Sequence, residues 1–293
     1  MPASPRIPLF PLPKGLRVFP AAFLLMVLAG LACRQANAAD PHAAETSAFG
    51  SETESGSALM GIFYDLKQTQ QQVPTGVDVN SYGAILDSFV VRGFDEMVMN
   101  QYYRSTKPMY TTQIYIPMMA ASAAPRAFGM GEYVKGTRWV IHYKGQVVPP
   151  TDGTYRFCGF ADDVIVVMVD GKVDLEAGLF NHTFLFKAAK WQSTEPPGIK
   201  MVDGRMTMGD WFAATTSKPI DLDILIGERP GGIFGAILTI QKQGETYPIA
   251  PPTDKDPGGV ILPLFQVAPY SGTLKAPGGC QLAPAPPPWK CLQ

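Results

Sequence analysis

The stretch FCGFADDVIVVMVDGKVDLEAG, Phe157 to Gly178, decides how the rest of the chain is read. It contains two adjacent aspartates, Asp162 and Asp163, set directly against the apolar run Val164–Val169. Asp170-Gly171 follows, a strong signal for a two-residue hairpin turn, because both central residues must reach positive φ. The segment therefore reads as a strand ending near Phe160, a tight corner at Ala161-Asp162-Asp163, a buried strand, a turn, and a returning strand from Lys172. What remains to be explained is why two like charges stand beside a segment that has to be buried.

Working outward, the same strand signature recurs. Met109–Ile116, Thr137–Gly145, Gly153–Phe160, Asp221–Gly227 and Ile233–Gln241 are rich in aromatic and β-branched residues with partial alternation. Met60–Leu66 opens the series. One segment departs from it. Tyr82, Ile85, Leu86 and Phe89 follow the i, i+3, i+4, i+7 spacing of an amphipathic helix, with Asn80 or Ser81 available as its N-cap. Many short strands separated by Gly/Pro turns, with one helix laid on a sheet, predict an all-β protein: an antiparallel, jelly-roll-like β-sandwich with one short amphipathic helix and loop insertions.

The ends of the chain read differently. Arg6, Lys14 and Arg17 precede an apolar stretch from Val18 to Ala32, and Ala36-Asn37-Ala38 supplies small residues for cleavage. This is the layout of a signal peptide over residues 1–38, and it predicts export to a secreted, periplasmic or cell-surface location. Cys33, just after the apolar stretch, offers lipid attachment as the alternative to cleavage after Ala38. The apolar stretch is shorter than a spanning helix of about 20 residues, so no membrane span is expected once the leader is removed. Residues 39–57 are small and polar and read as a mobile lead-in. Residues 58–247 form the body, and 248–293 a proline-rich, extended C-terminal tail.

Of 24 basic and 25 acidic residues, the leader takes four basic and no acidic ones, which would leave a mature chain of net charge −5. With no basic patch or basic helix, nucleic acid is excluded as an expected partner. Cys158 lies in a strand-like run and reads as a small buried residue. Cys280 and Cys291, close together in the tail of an exported chain, suggest a disulfide. The histidines are scattered, and His142 alternates within a strand.

With this order of elements in view, the chain resembles the secreted β-sandwich domain first described in anthrax protective antigen. The resemblance rests on Gly61-Ile62-Phe63-Tyr64-Asp65, Trp139, Gly145 to Pro150, Gly153-Thr154-Tyr155-Arg156-Phe157, Asp162-Asp163 and Asp170-Gly171-Lys172, and on the Gly-rich segment before the last apolar strand. It spans 58–247 and is densest from 137 to 175. It implies a glycan-binding module of secreted and surface proteins. It also implies that the Asp162-Asp163 corner contains a cis peptide and holds calcium, which in turn contacts sugar hydroxyls. The second ligand loop of such domains corresponds to Gly227–Gly232, which offers Glu228 and no Asn or Asp. In this chain Val164 stands where the family has glycine after the aspartate pair.

Two explanations of the aspartates stay open. A cation neutralises them, since oxygen ligands suit calcium; or Asp162 bonds backbone N–H groups of the corner while Asp163 faces solvent. Trp191 is a candidate for stacking on a sugar ring. No nucleophile–base pair or placed carboxylate pair stands out, so no enzymatic activity is expected. Asp221 and Asp223 alternate with Leu222 and Ile224 and read as the exposed face of a strand. Met201–Phe212, with three methionines and Trp211, reads as a loop packed on the sandwich. Two functions follow: a secreted, non-catalytic carbohydrate-binding module assisted by calcium at Asp162 and Asp163, or a metal-free sandwich that docks a secreted or cell-surface protein.

Overall fold

The computed structural model describes residues 47–54, 56–178, 190–201, 204–269 and 280–292. The expected leader and Cys33 lie outside them. Fifteen strands are seen among the described residues: β1 (Leu59–Asp65), β2 (Tyr103–Arg104), β3 (Met109–Thr111), β4 (Tyr115–Ala120), β5 (Trp139–Val148), β6 (Gly153–Asp162), β7 (Val164–Val169), β8 (Lys172–Ala177), β9 (Thr207–Met208), β10 (Phe212–Ala214), β11 (Ile220–Glu228), β12 (Ile233–Lys242), β13 (Ile249–Ala250), β14 (Gly259–Val260) and β15 (Lys290–Leu292). They form an all-β sandwich. The first sheet has the order β2-β1-β5-β11-β7-β8, with β3 added to β1 and β15 to β5. The second has the order β10-β6-β12-β4, with β9 added to β6. The recorded pairings are antiparallel.

The apolar run in β7 is explained by burial on both faces, which removes the usual alternation. Ile165, Val167 and Val169 enter the core between the sheets. Val164, Val166 and Met168 enter a second cluster on the outer face of the first sheet. That outer cluster is capped by α1 (Val79–Val91), which buries Tyr82, Leu86 and Phe89. The helix is the expected one, but it begins earlier. Its N-cap is Asp78, whose carboxylate accepts from the N–H groups of Asn80 and Ser81, while the Ser81 hydroxyl accepts from the Asp78 N–H. A second short helix, α2 (Ala123–Ala127), was not expected from the sequence.

The predicted turn is present: Asp170 and Gly171 have φ of 48° and 77° and join β7 to β8. The inter-sheet core centres on Trp139, which lies 5.7 Å from the Phe63 ring and 4.8 Å from the Phe234 ring between centroids. His142 is a buried strand residue, with Nε2 2.7 Å from Asp223 Oδ1 and its ring against Phe89 and Phe94. Among the described residues, no helix is long and apolar enough to cross a membrane.

Both ends of the body are more firmly packed than their composition suggests. Phe49, in the lead-in, is 1% exposed and stacks on Phe234 in the inter-sheet core. The proline-rich segment does not run free as an extended tail. Leu264 and Phe265 are buried, Trp289 joins the inter-sheet core against Tyr155 and Phe265, and β15 pairs with β5. Proline is disfavoured in the interior of a helix and in a central strand. It does not prevent intervening aromatic side chains from being buried.

The structure also corrects the expected disulfide. Among the described residues, Cys280 and Cys291 form no disulfide. Cys291 faces the inter-sheet core, whereas Cys280 belongs to a third apolar cluster on the outer face of the second sheet. Their eleven-residue separation in sequence placed them together only on paper.

Candidate functional site

The aspartate pair sits where the chain leaves one sheet for the other. Asp162 is the last residue of β6 and Val164 the first of β7, so Asp163 is the link between the layers. The Asp162-Asp163 peptide bond is cis, as the family resemblance implied. Glu228, the last residue of β11, arrives beside them because Gly227 is the register partner of Val164. Asp162, Asp163 and Glu228 each present an oxygen within 4.8 Å of the others. The segment that seemed to lack the second ligand loop's usual residues thus supplies a carboxylate to the corner.

The backbone holds two of these side chains in place. The Arg229 N–H donates to Asp163 Oδ2 at 2.8 Å, and the Gly231 N–H donates to Glu228 Oε1 at 2.6 Å. Neither of the two explanations of the aspartates describes the corner alone. Asp163 does bond a backbone N–H, yet it is 1% exposed and does not face solvent. Glu228 is also 1% exposed, and Asp162 is partly exposed. Among the described residues, no N–H or hydroxyl donor reaches Asp163 Oδ1 or Glu228 Oε2, and the two buried carboxyls lie within hydrogen-bonding reach of each other, where a shared proton or a cation would pair them. An unpaired buried carboxylate oxygen is costly unless a proton or cation compensates it.

Electrostatics follow from that burial. Burial pushes the Asp163 carboxyl up, against the opposing effect of the Arg229 N–H. Burial and then the neighbouring Asp163 raise that of Glu228. Beneath the corner, Tyr82 of α1 donates its hydroxyl to the Trp139 carbonyl at 3.1 Å. Burial first, then the charges of Asp163 and Glu228, hold the Tyr82 phenol well above its ordinary range. Gly227 is required there, since a Cβ would stand 2.3 Å from the Tyr82 hydroxyl oxygen.

Trp191 is not part of this constellation. It is half-buried against the inter-sheet core, with its Nε1 buried and without a partner among the described residues. Asp221 and Asp223 lie along the outer face of the first sheet, bonded to Gln146 and His142. Two other carboxyls that the sequence does not single out, Asp174 and Glu176 on β8, are buried at 2% and 0% exposure. In KVDLEA they look like the wet face of an edge strand. The signal that they are covered comes only from the placement of α1 and the loops.

No family model matches the sequence, and no curated protein matches it. Solved structures give likenesses of low identity. A PA14 sugar-binding domain from an RTX adhesin is 14% identical, covering 66% of this chain and 94% of that one, with a TM-score of 0.38. The PA14 domain of the MpAFP antifreeze protein is 14% identical, covering 66% and 88%, with a TM-score of 0.36. The epithelial adhesin 6 A domain from Candida glabrata, solved in complex with Galβ1-3GlcNAc, is 12% identical, covering 71% and 88%, with a TM-score of 0.39.

Proposed function

We propose that the chain is an exported, non-catalytic carbohydrate-binding module whose ligand site is the corner formed by Asp162, Asp163 and Glu228, assisted by calcium. The observation that carries this reading is the convergence of three carboxylates within 4.8 Å, two of them buried and set against each other with no cationic side chain between them among the described residues. The donor set is all oxygen, which suits a hard cation and not a soft one. Asp162, Asp163 and Glu228 would hold the ion. When bound, calcium neutralises the carboxylates and offers open coordination positions to vicinal hydroxyls of a sugar.

The chain's own part is to keep the oxygens converged. The Arg229 and Gly231 N–H groups fix one oxygen each of Asp163 and Glu228, leaving the others turned to the corner. Tyr82 and α1 close the site from below and limit water. The resemblance in the sequence points to glycans as the ligand class.

A glycan screen of the whole chain, with calcium and with a chelator, tests the reading. Binding to a defined set of glycans that disappears with chelator, and in Asp162→Asn/Asp163→Asn, is the expected result. Absence of glycan binding under both conditions would overturn it and favour the metal-free docking sandwich.

A further inference from the structure

A cavity lies at the far end of the strands from the carboxylate corner. Gly235 of β12 is the register partner of Asp162, whereas Lys242 is the partner of Tyr155. The seven-residue step between those two levels of β12 spans about 23 Å of strand. Four stretches of chain wall the cavity: the turn into β6, the end of β12 with the residues after it, Pro263, and the proline-rich segment that docks through Trp289. Its volume is about 140 Å³. An apolar cavity of about 150 Å³ takes one benzene molecule.

The lining is mostly rings. Tyr155 and Trp289, 3% and 2% exposed, form the interior together with Ile240, and the two rings meet edge to face at 5.0 Å. Pro150, Pro287 and Tyr247 add further ring surface. Thr151, Glu245 and Pro287 are exposed, so the cavity opens to solvent between them.

One cation faces this apolar surface. Lys242 Nζ donates to Thr151 Oγ1 at 2.6 Å and stands 5.6 Å from the centre of the Tyr155 ring. The lysines that form ion pairs among the described residues are Lys67, Lys107, Lys144, Lys172 and Lys218, and Lys242 is not one of them. An ammonium carries three donors, so the bond to Thr151 leaves two for a ligand. Glu245 also lines the cavity, but it is exposed, and its Oε2 accepts from the Tyr247 hydroxyl at 3.1 Å. Burial pushes the Tyr247 phenol up to about 12, so it adds no charge of its own.

We propose that this cavity binds a small aromatic carboxylate, its ring against Tyr155, Ile240 and Trp289 and its carboxylate on Lys242. A ring of benzene size fills the space, and the carboxylate gives the ammonium a charged acceptor beside an apolar wall, where such a bond is strong. Pro287 and Trp289 belong to the C-terminal segment, so the ligand also ties that segment to the body. None of these residues belongs to the aspartate corner, so the proposal stands whether or not the corner binds glycans.

Calorimetric titration of the whole chain with benzoate, benzylamine and acetate tests it. Saturable, one-to-one binding of benzoate at millimolar concentration is expected. It should be at least about tenfold tighter than binding of the other two, which carry the ring with the wrong charge or the charge without the ring. Lys242→Met keeps an apolar stem and should weaken benzoate binding at least about tenfold, with the parent's circular dichroism spectrum retained. Asp162→Asn/Asp163→Asn should leave it unchanged. Absence of saturable benzoate binding would overturn the proposal, and so would acetate or benzylamine binding as tightly as benzoate, a comparison that needs no variant. Benzoate binding unchanged in Lys242→Met, or lost in the aspartate variant, would overturn it as well.

Discussion

Glu176 offers the sharpest test of the packing of α1 on the first sheet. Leu175 and Ala177 point into the inter-sheet core, so Glu176 is turned to the opposite face, level with its register partner Val166. That face is covered by α1. Glu176 is 0% exposed, and among the described residues neither carboxylate oxygen has a hydrogen-bond partner. Burial, and secondarily the charge of Asp87, push its carboxyl from 4.5 to about 8. A carboxyl raised on folding binds its proton more tightly in the native state. Its favourable contribution is therefore complete below the unfolded value of 4.5 and is lost as pH rises toward 8. At about 1.36 kcal/mol per pKa unit, the loss between about pH 5 and about pH 9 is about 4 kcal/mol. Asp174, raised to about 7 chiefly by burial, adds a slope of the same sign. Glu176→Gln removes the titration and leaves a neutral amide, whose own burial cost is independent of pH. Urea unfolding of both chains across this range should show the variant gaining on the parent by about 4 kcal/mol as pH rises. Parallel profiles would refute the argument, because they would mean that Glu176 is solvated or paired and that α1 does not seal this face.

Two further outcomes follow from the packing. Trp289→Ala should cost about 3 kcal/mol or more in denaturant unfolding, since the ring is 2% exposed among Tyr155, Phe157 and Phe265; a negligible loss would mean that the C-terminal segment is not part of the core. Asp78→Ala should cost about 1 kcal/mol by removing the acceptor for the Asn80 and Ser81 N–H groups, measured the same way, and Asp78→Asn should recover most of it.

The strands and the hairpin were legible because they rest on local chemistry. Asp170-Gly171 dictates its turn, and the β-branched run of β7 has no comfortable alternative to a buried strand. The i, i+4, i+7 spacing of Tyr82, Leu86 and Phe89 dictates the helix, though its cap falls on Asp78, two residues before the nearest residue expected to supply it. The corner was legible in part. Asp162 and Asp163 are adjacent in sequence, but the arrival of Glu228 depends on β11 lying beside β7, a pairing across sixty residues that no local pattern encodes. Glu176 was missed for the same reason, because alternation in KVDLEA cannot tell water from a helix laid over the sheet. In the C-terminal segment the prolines mask the signal of Leu264, Phe265 and Trp289, whose burial depends on where the sandwich receives them.

The central claim is that Asp162, Asp163 and Glu228 act together as a cation site. Calorimetric titration of the whole chain with calcium tests it most directly, beside Asp162→Asn/Asp163→Asn and Glu228→Gln. The account predicts saturable binding at or below about millimolar calcium, lost in the aspartate variant and weakened in the glutamate variant. No binding at that concentration, or binding untouched by either variant, would contradict it.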